Sequence, residues 1–291
     1  MAVDVASTKA ETDVNAQPWD AAAAGWNRHT DLIHHWLHSI TQTMLNDAHI
    51  GLGARVLDVA AGAGDQTLDI AHRIGSTGWV MATDLSAGIL ALAQKNFDAS
   101  GLLQVSTQVA DAQALGLAGS NFDAAVCRLG LMFCCSPLAA LTEICAALKL
   151  QGRLSALVFG RPEHNPCLTI TLAAARKHAA MVAAPNMPVD SPGTLMSLGK
   201  PGLLDALLQS AGFVSVKSRY VSVPFHAASV KQYVEFLRAS ASPVIEILAP
   251  LPVAAQQDAW RDITEQLQVF TTPLGWVGPN ELLQCVAVAP G

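Results

Sequence analysis

The chain has 291 residues, a formal net charge of -6, and a composition of 51% hydrophobic and only 14% charged residues. Such a chain is too apolar to be disordered, and no cluster of Lys and Arg supplies the basic surface typical of nucleic-acid-binding proteins. The mean hydropathy of +0.34 is high, yet no run of about 18 apolar residues indicates a membrane span. We therefore expect a folded helical or α/β protein without a nucleic-acid partner or a membrane span.

The N-terminal segment and the cysteines suggest where the protein resides. Residues 1–17 are polar, small and aperiodic, which predicts a flexible tail, and they lack the basic and apolar regions of a signal peptide. The six cysteines include no C-x-x-C pair, and the adjacent Cys134 and Cys135 are poorly placed to bridge each other. Reduced, mostly buried cysteines are typical of cytoplasmic proteins, so we expect a cytoplasmic location.

Helices and strands are predicted to follow one another in a regular order after this segment. Residues 18–50 are predicted to form an N-terminal helical cap, because Pro18 suits a first helical turn and apolar residues recur at helical spacing. Residues 51–160 alternate β-type runs with helices, which predicts a mostly parallel sheet and a cofactor-binding α/β core. The strands are expected at 55–60, 79–83, 104–110, 122–128 and 153–159.

Two apolar segments interrupt the α/β alternation. Residues 161–200 are rich in proline around one predicted helix, and residues 226–280 are predicted to be helical. Between them, residues 201–225 return to a helix and a strand of the core, and residues 281–291 end the chain with a core strand. The two insertions are expected to act as lids over a ligand site, or else to pack on the core or form a homodimer interface.

One stretch, VLDVAAGAGDQT from Val56 to Thr67, reads as a strand, a turn of very small residues and the start of a helix. Gly62 and Gly64 have no Cβ and would let a ligand approach the backbone beside the free N–H groups of that helix. Asp84 ends the next predicted strand, at the sheet edge where ligands of α/β proteins bind, and its carboxylate can accept hydrogen bonds from a ribose diol. A nucleotide-like cofactor is expected here.

NAD and S-adenosylmethionine both fit this description. The dinucleotide motif G-x-G-x-x-G lacks its third glycine, because Thr67 stands there, and this disfavours an NAD oxidoreductase. The whole set of motifs resembles the class I S-adenosylmethionine-dependent methyltransferases, and among them the ubiquinone/menaquinone-biosynthesis C-methyltransferase type. VLDVAAGAGDQT looks like the family's first motif, MATDLSAGIL its second and VADAQAL its third. The segment CRLGLMFCCSPLAALTEICAALKLQGRL looks like its fourth strand and the following helix.

The resemblance implies a Rossmann-like seven-stranded, mostly parallel sheet with helices on both faces, a sixth strand near 213–225 and an antiparallel seventh near 282–289. It implies S-adenosyl-L-methionine as cofactor, S-adenosyl-L-homocysteine as product and a small-molecule substrate. Ala60 stands where relatives often have the first glycine of G-x-G-x-G, and relatives usually have L-K-P-G-G where this chain has Leu148–Gly152. The residues assigned to the cofactor by motif or by position are Trp26, Asp58, Ala60, Gly62, Gly64, Thr67, Asp84, Leu85, Asp111, Ala112 and Arg128.

A general base is needed only where the methyl acceptor must lose a proton. Glu163 and His164 follow the fifth predicted strand, where the ligand crevice is expected to open, and His164 is the candidate catalytic base. The alternative is that these residues lie in a solvent-exposed loop. His34 and His38 share one helical face, but they have no H-E-x-x-H context, so we interpret them as solvated or partly buried and expect no metal site.

The apolar insertions would suit the wall of a pocket for a small, largely apolar acceptor. The expected function is therefore methyl transfer to such a molecule. Because a fold does not determine its chemistry, two alternatives stay open: a non-methylating enzyme on the same fold, and a cofactor-binding protein without catalysis. The residues do not decide among carbon, oxygen, nitrogen and sulfur as acceptor atom.

Overall fold

The computed structural model describes residues 5–181 and 193–291, with side chains from residue 16 onward. Strands β1 to β10 span Arg55–Val59, Trp79–Asp84, Val105–Val109, Phe122–Arg128, Leu148–Phe159, Val214–Ser222, Phe225–Ala227, Thr271–Thr272, Gly275–Gly278 and Glu281–Val288. Helices α1 to α10 span Val5–Arg28, Thr30–Asp47, Asp65–Ile74, Ala87–Ala99, Pro137–Ala147, Pro166–Ala180, Leu203–Ser210, Val230–Ser240, Ser242–Leu248 and Val253–Leu267.

The core is a seven-stranded sheet with the strand order β3-β2-β1-β4-β5-β10-β6. Strands β3, β2, β1, β4 and β5 are parallel, whereas β10 runs antiparallel to both of its neighbours, β5 and β6. Helices pack on the sheet as expected for a Rossmann-like fold. The predicted fold class is confirmed, including the antiparallel strand at the C-terminus.

Local sequence signals account for several element boundaries. Ser86 is the N-cap residue of α4. Its hydroxyl accepts a hydrogen bond from the Ile89 amide at 3.0 Å, which satisfies one of the free N–H groups of the first turn. Ser136 begins α5 in the same way, with Pro137 in the first turn. The central strands are buried on both faces, so they appear in the sequence as continuous apolar runs.

The N-terminal helix is longer than predicted. Residues 1–17 were expected to form a flexible tail, but α1 begins at Val5 and contains Pro18 in its interior. Residues 5–17 include many good helix formers and no glycine, which allows the helix to extend to the N-terminal side of the proline. Gly25 lets α1 approach α8 closely, because a Cβ at this position would lie 1.7 Å from the carbonyl oxygen of Ala239.

The second insertion is not entirely helical, in contrast to the prediction for residues 226–280. Besides α8, α9 and α10, it contributes β8 and β9 to a three-stranded antiparallel sheet with the order β7-β9-β8. Strands of two to four residues are too short to produce a detectable periodicity. The fully buried Trp276 in β9 anchors this sheet, stacks on Tyr233 with ring centroids 4.1 Å apart and donates a hydrogen bond to the Leu267 carbonyl.

The helices from both insertions pack against one another and against α1. Helix α6 contacts α9 and α10, and α1 contacts α4, α8 and α9. In the part of the chain that the structure describes, none of the helices is long and apolar enough to cross a membrane. The packing places the helices of the N-terminal cap and of the insertions around a single region, the carboxyl ends of the parallel strands.

Candidate active site

A cavity of about 750 Å³ lies at the carboxyl ends of the parallel strands. Its volume is in the range usual for small-molecule sites. The ends of β1, β2, β3 and β4 and the loops after them supply one part of its lining, and helices α1, α2, α6 and α9 supply most of the rest, together with residues 193–195 and Pro250. Of the residues predicted to bind a cofactor, those that line the cavity are Trp26, Ala60, Gly62, Asp84, Leu85, Asp111, Ala112 and Arg128.

Asp84 joins the ends of β1 and β2. Its carboxylate accepts hydrogen bonds from the Gly62 amide and from the Ser86 amide, each at 3.0 Å. Burial raises the pKa of Asp84, and the hydrogen bonds from these amides oppose the shift. The carboxylate therefore holds the loop after β1 in place, and its remaining lone pairs can accept hydrogen bonds from a diol in the cavity.

The two glycines of the first motif have different roles. Gly62 has a φ of +59° and lines the cavity, and the nearest atom to a Cβ built on it would be 3.9 Å away. Gly64 has a φ of +91° but does not line the cavity, because a Cβ there would lie 2.5 Å from the ring of Phe97 on α4. Gly62 thus opens the backbone to a ligand, and Gly64 lets the turn pack on α4.

Asp58 and Thr67 are fully buried beneath the loop after β1, and neither of them lines the cavity. The Thr67 hydroxyl donates a hydrogen bond to Asp58 Oδ2 at 2.6 Å, and the Gln66 side-chain amide donates to Oδ1. Burial raises the pKa of Asp58 to about 7, although both hydrogen bonds act in the opposite direction. Asp58, Gly64 and Thr67, three of the residues predicted to bind the cofactor, therefore do not line the cavity and instead shape the loop after β1.

Arg128 at the end of β4 lines the cavity and binds Asp65, which begins α3. Its Nη2 lies 2.7 and 2.6 Å from the two carboxylate oxygens of Asp65, and its Nη1 donates to the Thr41 hydroxyl at 2.8 Å. Both charged side chains are largely buried. This pair ties the sheet to α3 and, through Thr41, to α2.

Helix α1 covers the loop after β1. Asp20 accepts hydrogen bonds from the Ser86 hydroxyl and from the Gly88 amide, so α1 is fixed to the first turn of α4. Trp26 lines the cavity and contacts Phe236 edge-to-face, with ring centroids 6.2 Å apart. Its indole Nε1 is buried and has no hydrogen-bond partner in the described part of the chain. A buried donor beside a cavity indicates a place where a ligand supplies the acceptor.

Asp111 and Ala112 follow β3 and line the cavity as predicted. Asp111 caps a single 3-10 turn by accepting a hydrogen bond from the Gln113 amide at 2.8 Å. The Gln113 side chain in turn accepts from the Ser136 amide, at the start of α5. This arrangement fixes the loop after β3 beside the loops of β1 and β2.

His164, the predicted base, does not line the cavity. Its side chain is about half exposed, and its Nδ1 lies 3.8 Å from Oε2 of Glu281, which also binds Arg161. After β5 the chain turns through Pro162–His164, and Asn165 hydrogen-bonds to both the amide and the carbonyl of Glu281. These bonds draw the segment towards β10, so the expectation of a base at position 164 is not supported by the geometry.

The remaining wall of the cavity comes from residues that no sequence motif identified. Among its apolar members are Ile33 and Leu37 of α2, Leu172 and Ala179 of α6, and Ile247 of α9. They belong to the cap and to the two insertions, whose apolar composition was the only signal in the sequence.

Two ionisable side chains, Arg176 on α6 and Glu246 on α9, also line this part of the cavity. Among the described residues, neither side chain has an ion-pair or hydrogen-bond partner. Partial burial raises the pKa of Glu246. Burial also raises the pKa of Cys134 to about 12, so this cavity-lining thiol stays protonated near neutral pH. Glu246 is thus a cavity-lining carboxylate whose raised pKa makes it a stronger base than an exposed glutamate.

Comparisons with known proteins agree with this arrangement. Residues 56–152 match a family model described as a methyltransferase domain, Methyltransf_25. The ubiquinone/menaquinone biosynthesis C-methyltransferase UbiE of Chromobacterium violaceum is 31% identical over 147 residues, covering 50% of this chain and 60% of that protein. The chain thus spans about 60% of the length of the curated relatives that it matches.

Solved structures show the same fold over most of the chain. A phosphoethanolamine N-methyltransferase 2 of Haemonchus contortus, in complex with S-adenosylhomocysteine, has a TM-score of 0.56 at 14% identity, covering 91% of this chain and 58% of that one. The [4+2]-cyclase SpnF has a TM-score of 0.56 at 16% identity, covering 94% of this chain and 97% of that one.

Proposed function

We propose that the whole chain transfers the methyl group of S-adenosylmethionine to a small, largely apolar acceptor, because residues 56–152 match a methyltransferase domain. The observation that carries the proposal is the composition of the cavity. Its strand-end loops present most of the residues that the family motifs assign to the cofactor, and the cap and the insertions add apolar lining residues to the same cavity.

The residues present fit the cofactor. Asp84 would accept hydrogen bonds from the ribose hydroxyls, Asp111 and Ala112 would lie on the adenine side, and Gly62 leaves the backbone open to close approach. The unpartnered indole N–H of Trp26 is available to a bound acceptor atom. When bound, the cofactor supplies an electrophilic methyl group, so the chain has to orient the two reactants and exclude water.

The acceptor is proposed to be apolar because the cap and the insertions line the cavity mostly with Leu, Ile, Ala and Pro side chains. The curated relatives support this proposal, since they are named as C-methyltransferases of ubiquinone and menaquinone biosynthesis. Arg176 is available to bind one oxygen of an otherwise apolar acceptor, because among the described residues it forms no ion pair.

Glu246 is proposed as the base in place of His164. The acceptor would supply the electron pair for the new bond to the methyl carbon, and the cofactor would supply that methyl group and keep the electron pair of the broken bond on its sulfur. A proton bound to the acceptor is then lost to the Glu246 carboxylate. Partial burial raises the pKa of Glu246, which makes it a better base than an exposed glutamate would be.

Calorimetric titration tests the cofactor part of the proposal. Titrating the protein with S-adenosylmethionine, S-adenosylhomocysteine and NADH should show binding of the first two alone. Asp84→Ala should weaken that binding by about tenfold or more, since it removes a charged acceptor. Asp98→Ala, an exposed aspartate on α4, is the matched control and should bind like the wild type. Binding of NADH, or equal binding by Asp84→Ala, would contradict the proposal.

The second candidate is a non-methylating enzyme on the same fold. SpnF supports this candidate, since it has this fold and is named as a [4+2]-cyclase. Product analysis separates the two candidates. Incubation with S-adenosylmethionine and a panel of small aromatic acceptors should yield S-adenosylhomocysteine and a methylated product in equal amounts. Acceptor conversion without S-adenosylhomocysteine would favour the second candidate, and cofactor binding without any conversion of an acceptor would favour a binding protein.

A further inference from the structure

Three side chains with metal-ligand chemistry meet on the surface formed by α2 and α3. His34 and His38 lie one helical turn apart on α2, and Asp69 lies on α3. The sequence predicts the shared face of the two histidines but not the third group, because Asp69 is 31 residues beyond His38 in the chain. The packing of α3 against α2 brings the carboxylate to the two rings.

The potential ligand atoms converge closely. Nε2 of His34 lies 3.4 Å from Oδ1 of Asp69, and Nδ1 of His38 lies 3.2 Å from Oδ2. The same two ring nitrogens are 3.1 Å from each other. One ligand atom from each residue therefore belongs to a single compact triangle, with all of these atoms within 4.8 Å of one another.

The shortest distances between the ligand atoms are close to those that a small tetrahedral ion requires. Zinc binds imidazole nitrogen and carboxylate oxygen at about 2.0–2.1 Å, so two ligand atoms of a tetrahedral site lie about 3.3 Å apart. The two ring nitrogens are 3.1 Å apart, and each lies at a similar distance from a different carboxylate oxygen of Asp69, His34 at 3.4 Å from Oδ1 and His38 at 3.2 Å from Oδ2. Both imidazoles are about half exposed, so an ion can enter from solvent and a water molecule can complete the coordination.

We propose that His34, His38 and Asp69 form a binding site for a divalent transition-metal ion of the Zn²⁺ class, outside the active-site cavity. Two neutral imidazoles and one carboxylate are ligands that suit Zn²⁺, Ni²⁺ or Cu²⁺, whereas Mg²⁺ and Ca²⁺ prefer sites made of oxygen atoms alone. The negative charge of Asp69 would partly offset that of the ion, and the histidines would bind through nitrogens freed of their protons.

Such an ion would connect the cap to the core close to the cavity. Ile33 and Leu37, which are sequence neighbours of the two histidine ligands on α2, line the cavity, and so does Asp65, which is one turn before Asp69 on α3. The ion would bridge the two helices with bonds that form only in the folded protein, and it would therefore stabilise their docking.

Metal titration of tag-free protein tests this site. The titrations use a Cys135→Ser background, because Cys135 is an exposed thiol that could bind zinc independently. The protein should bind one Zn²⁺ saturably, and Mg²⁺ should not compete. His38→Ala and Asp69→Asn should each weaken Zn²⁺ binding by about tenfold or more, with a matching loss of the rise in melting temperature that zinc produces.

His35→Ala is the matched control, since His35 is a neighbouring imidazole on α2 that does not belong to the triangle. It should bind Zn²⁺ as tightly as the background protein. Titration with Co²⁺ provides a second readout that does not depend on stability, because a tetrahedral site gives strong visible absorption bands. Equal Zn²⁺ affinity in the background, His38→Ala and Asp69→Asn proteins, or no saturable binding in any of them, would overturn the proposal.

Discussion

The side chain of Ala60 occupies the space that a side chain at position 130 would need. A Cβ built on Gly130 would lie 2.4 Å from the Cβ of Ala60. Ala60 itself has a φ of +57°, a conformation in which glycine is the usual residue. Gly130 has a φ of -110° and is therefore glycine for reasons of space rather than of backbone conformation. The alanine in the turn after β1 is thus accommodated by the glycine after β4.

This relationship predicts a non-additive pair of substitutions. Gly130→Ala should lower the free energy of unfolding by about 1–3 kcal/mol, because the two Cβ atoms cannot both fit without a backbone shift. Adding Ala60→Gly should restore a large part of the loss, since it removes the other Cβ and the strain of a positive φ. Urea denaturation of the wild type, both single variants and the double variant measures the coupling. Simple additivity of the two changes would show that the contact is not limiting.

The raised pKa of buried Asp58 predicts that the stability of the protein depends on pH. Its pKa is about 7 in the folded protein against an ordinary value of 3.8, so between these pH values the folded state binds more protons than the unfolded state. The contribution of Asp58 to stability must therefore fall as pH rises through this window, by at most about 1.4 kcal/mol per pH unit, and stay constant above it.

Asp58→Asn removes this titration, while an amide can still exchange hydrogen bonds with Thr67 and Gln66. The difference in unfolding free energy between the wild type and Asp58→Asn should shift in favour of the variant between pH 5 and pH 7. Urea denaturation at both pH values measures the shift, and Asp98→Asn should retain the wild-type dependence. A difference that does not change with pH would show that Asp58 is already ionised throughout this range.

Trp26→Phe should separate ligand contact from packing at α1. Phenylalanine preserves much of the aromatic contact with Phe236 but has no N–H group. Because the indole N–H has no partner among the described residues, its removal should leave the unfolding free energy within about 1 kcal/mol of the wild type. The affinity for S-adenosylmethionine or for the acceptor should fall by about fivefold or more if that N–H binds a ligand atom. Unchanged affinity for both would leave Trp26 with a packing role alone.

Glu246→Gln should lower the turnover number by about tenfold or more, the lower end of what general-base catalysis contributes, with little change in cofactor affinity. The rate of the wild type should rise with pH as the carboxylate ionises, at a pH above the usual range of glutamate, and this rise should be lost in the variant. Glu235→Gln, on the exposed face of α8, is the matched control. His164→Ala should retain nearly full turnover, because His164 lies outside the cavity.

The opposite result would restore the hypothesis made from the sequence. If His164→Ala lost most of its turnover while Glu246→Gln retained it, the segment after β5 would have to reach the acceptor in the working enzyme. Pre-steady-state measurement of methyl transfer, with both variants saturated with cofactor, makes this comparison independent of product release.

The sequence by itself determined the sheet and the part of the site that lies within it. Alternating apolar runs and helices predicted β1 to β5, and the small residues after β1 and the acid at the end of β2 predicted the cofactor loops. These features depend on residues close together in the chain, so local pattern is enough to identify them. The position of Asp84 beside the Gly62 amide then follows from the parallel pairing of β1 and β2.

Only the tertiary structure decided which distant residues share an environment. It placed Asp69 beside His34 and His38, and it paired Arg128 with Asp65. It also placed Glu246 in the cavity lining and His164 outside that lining, near Glu281. Each of these outcomes depends on how helices and loops dock, which is settled by packing and hydrogen bonds summed over the whole core. Short motifs do not predict those contacts, because the contacts join residues that are far apart in the chain.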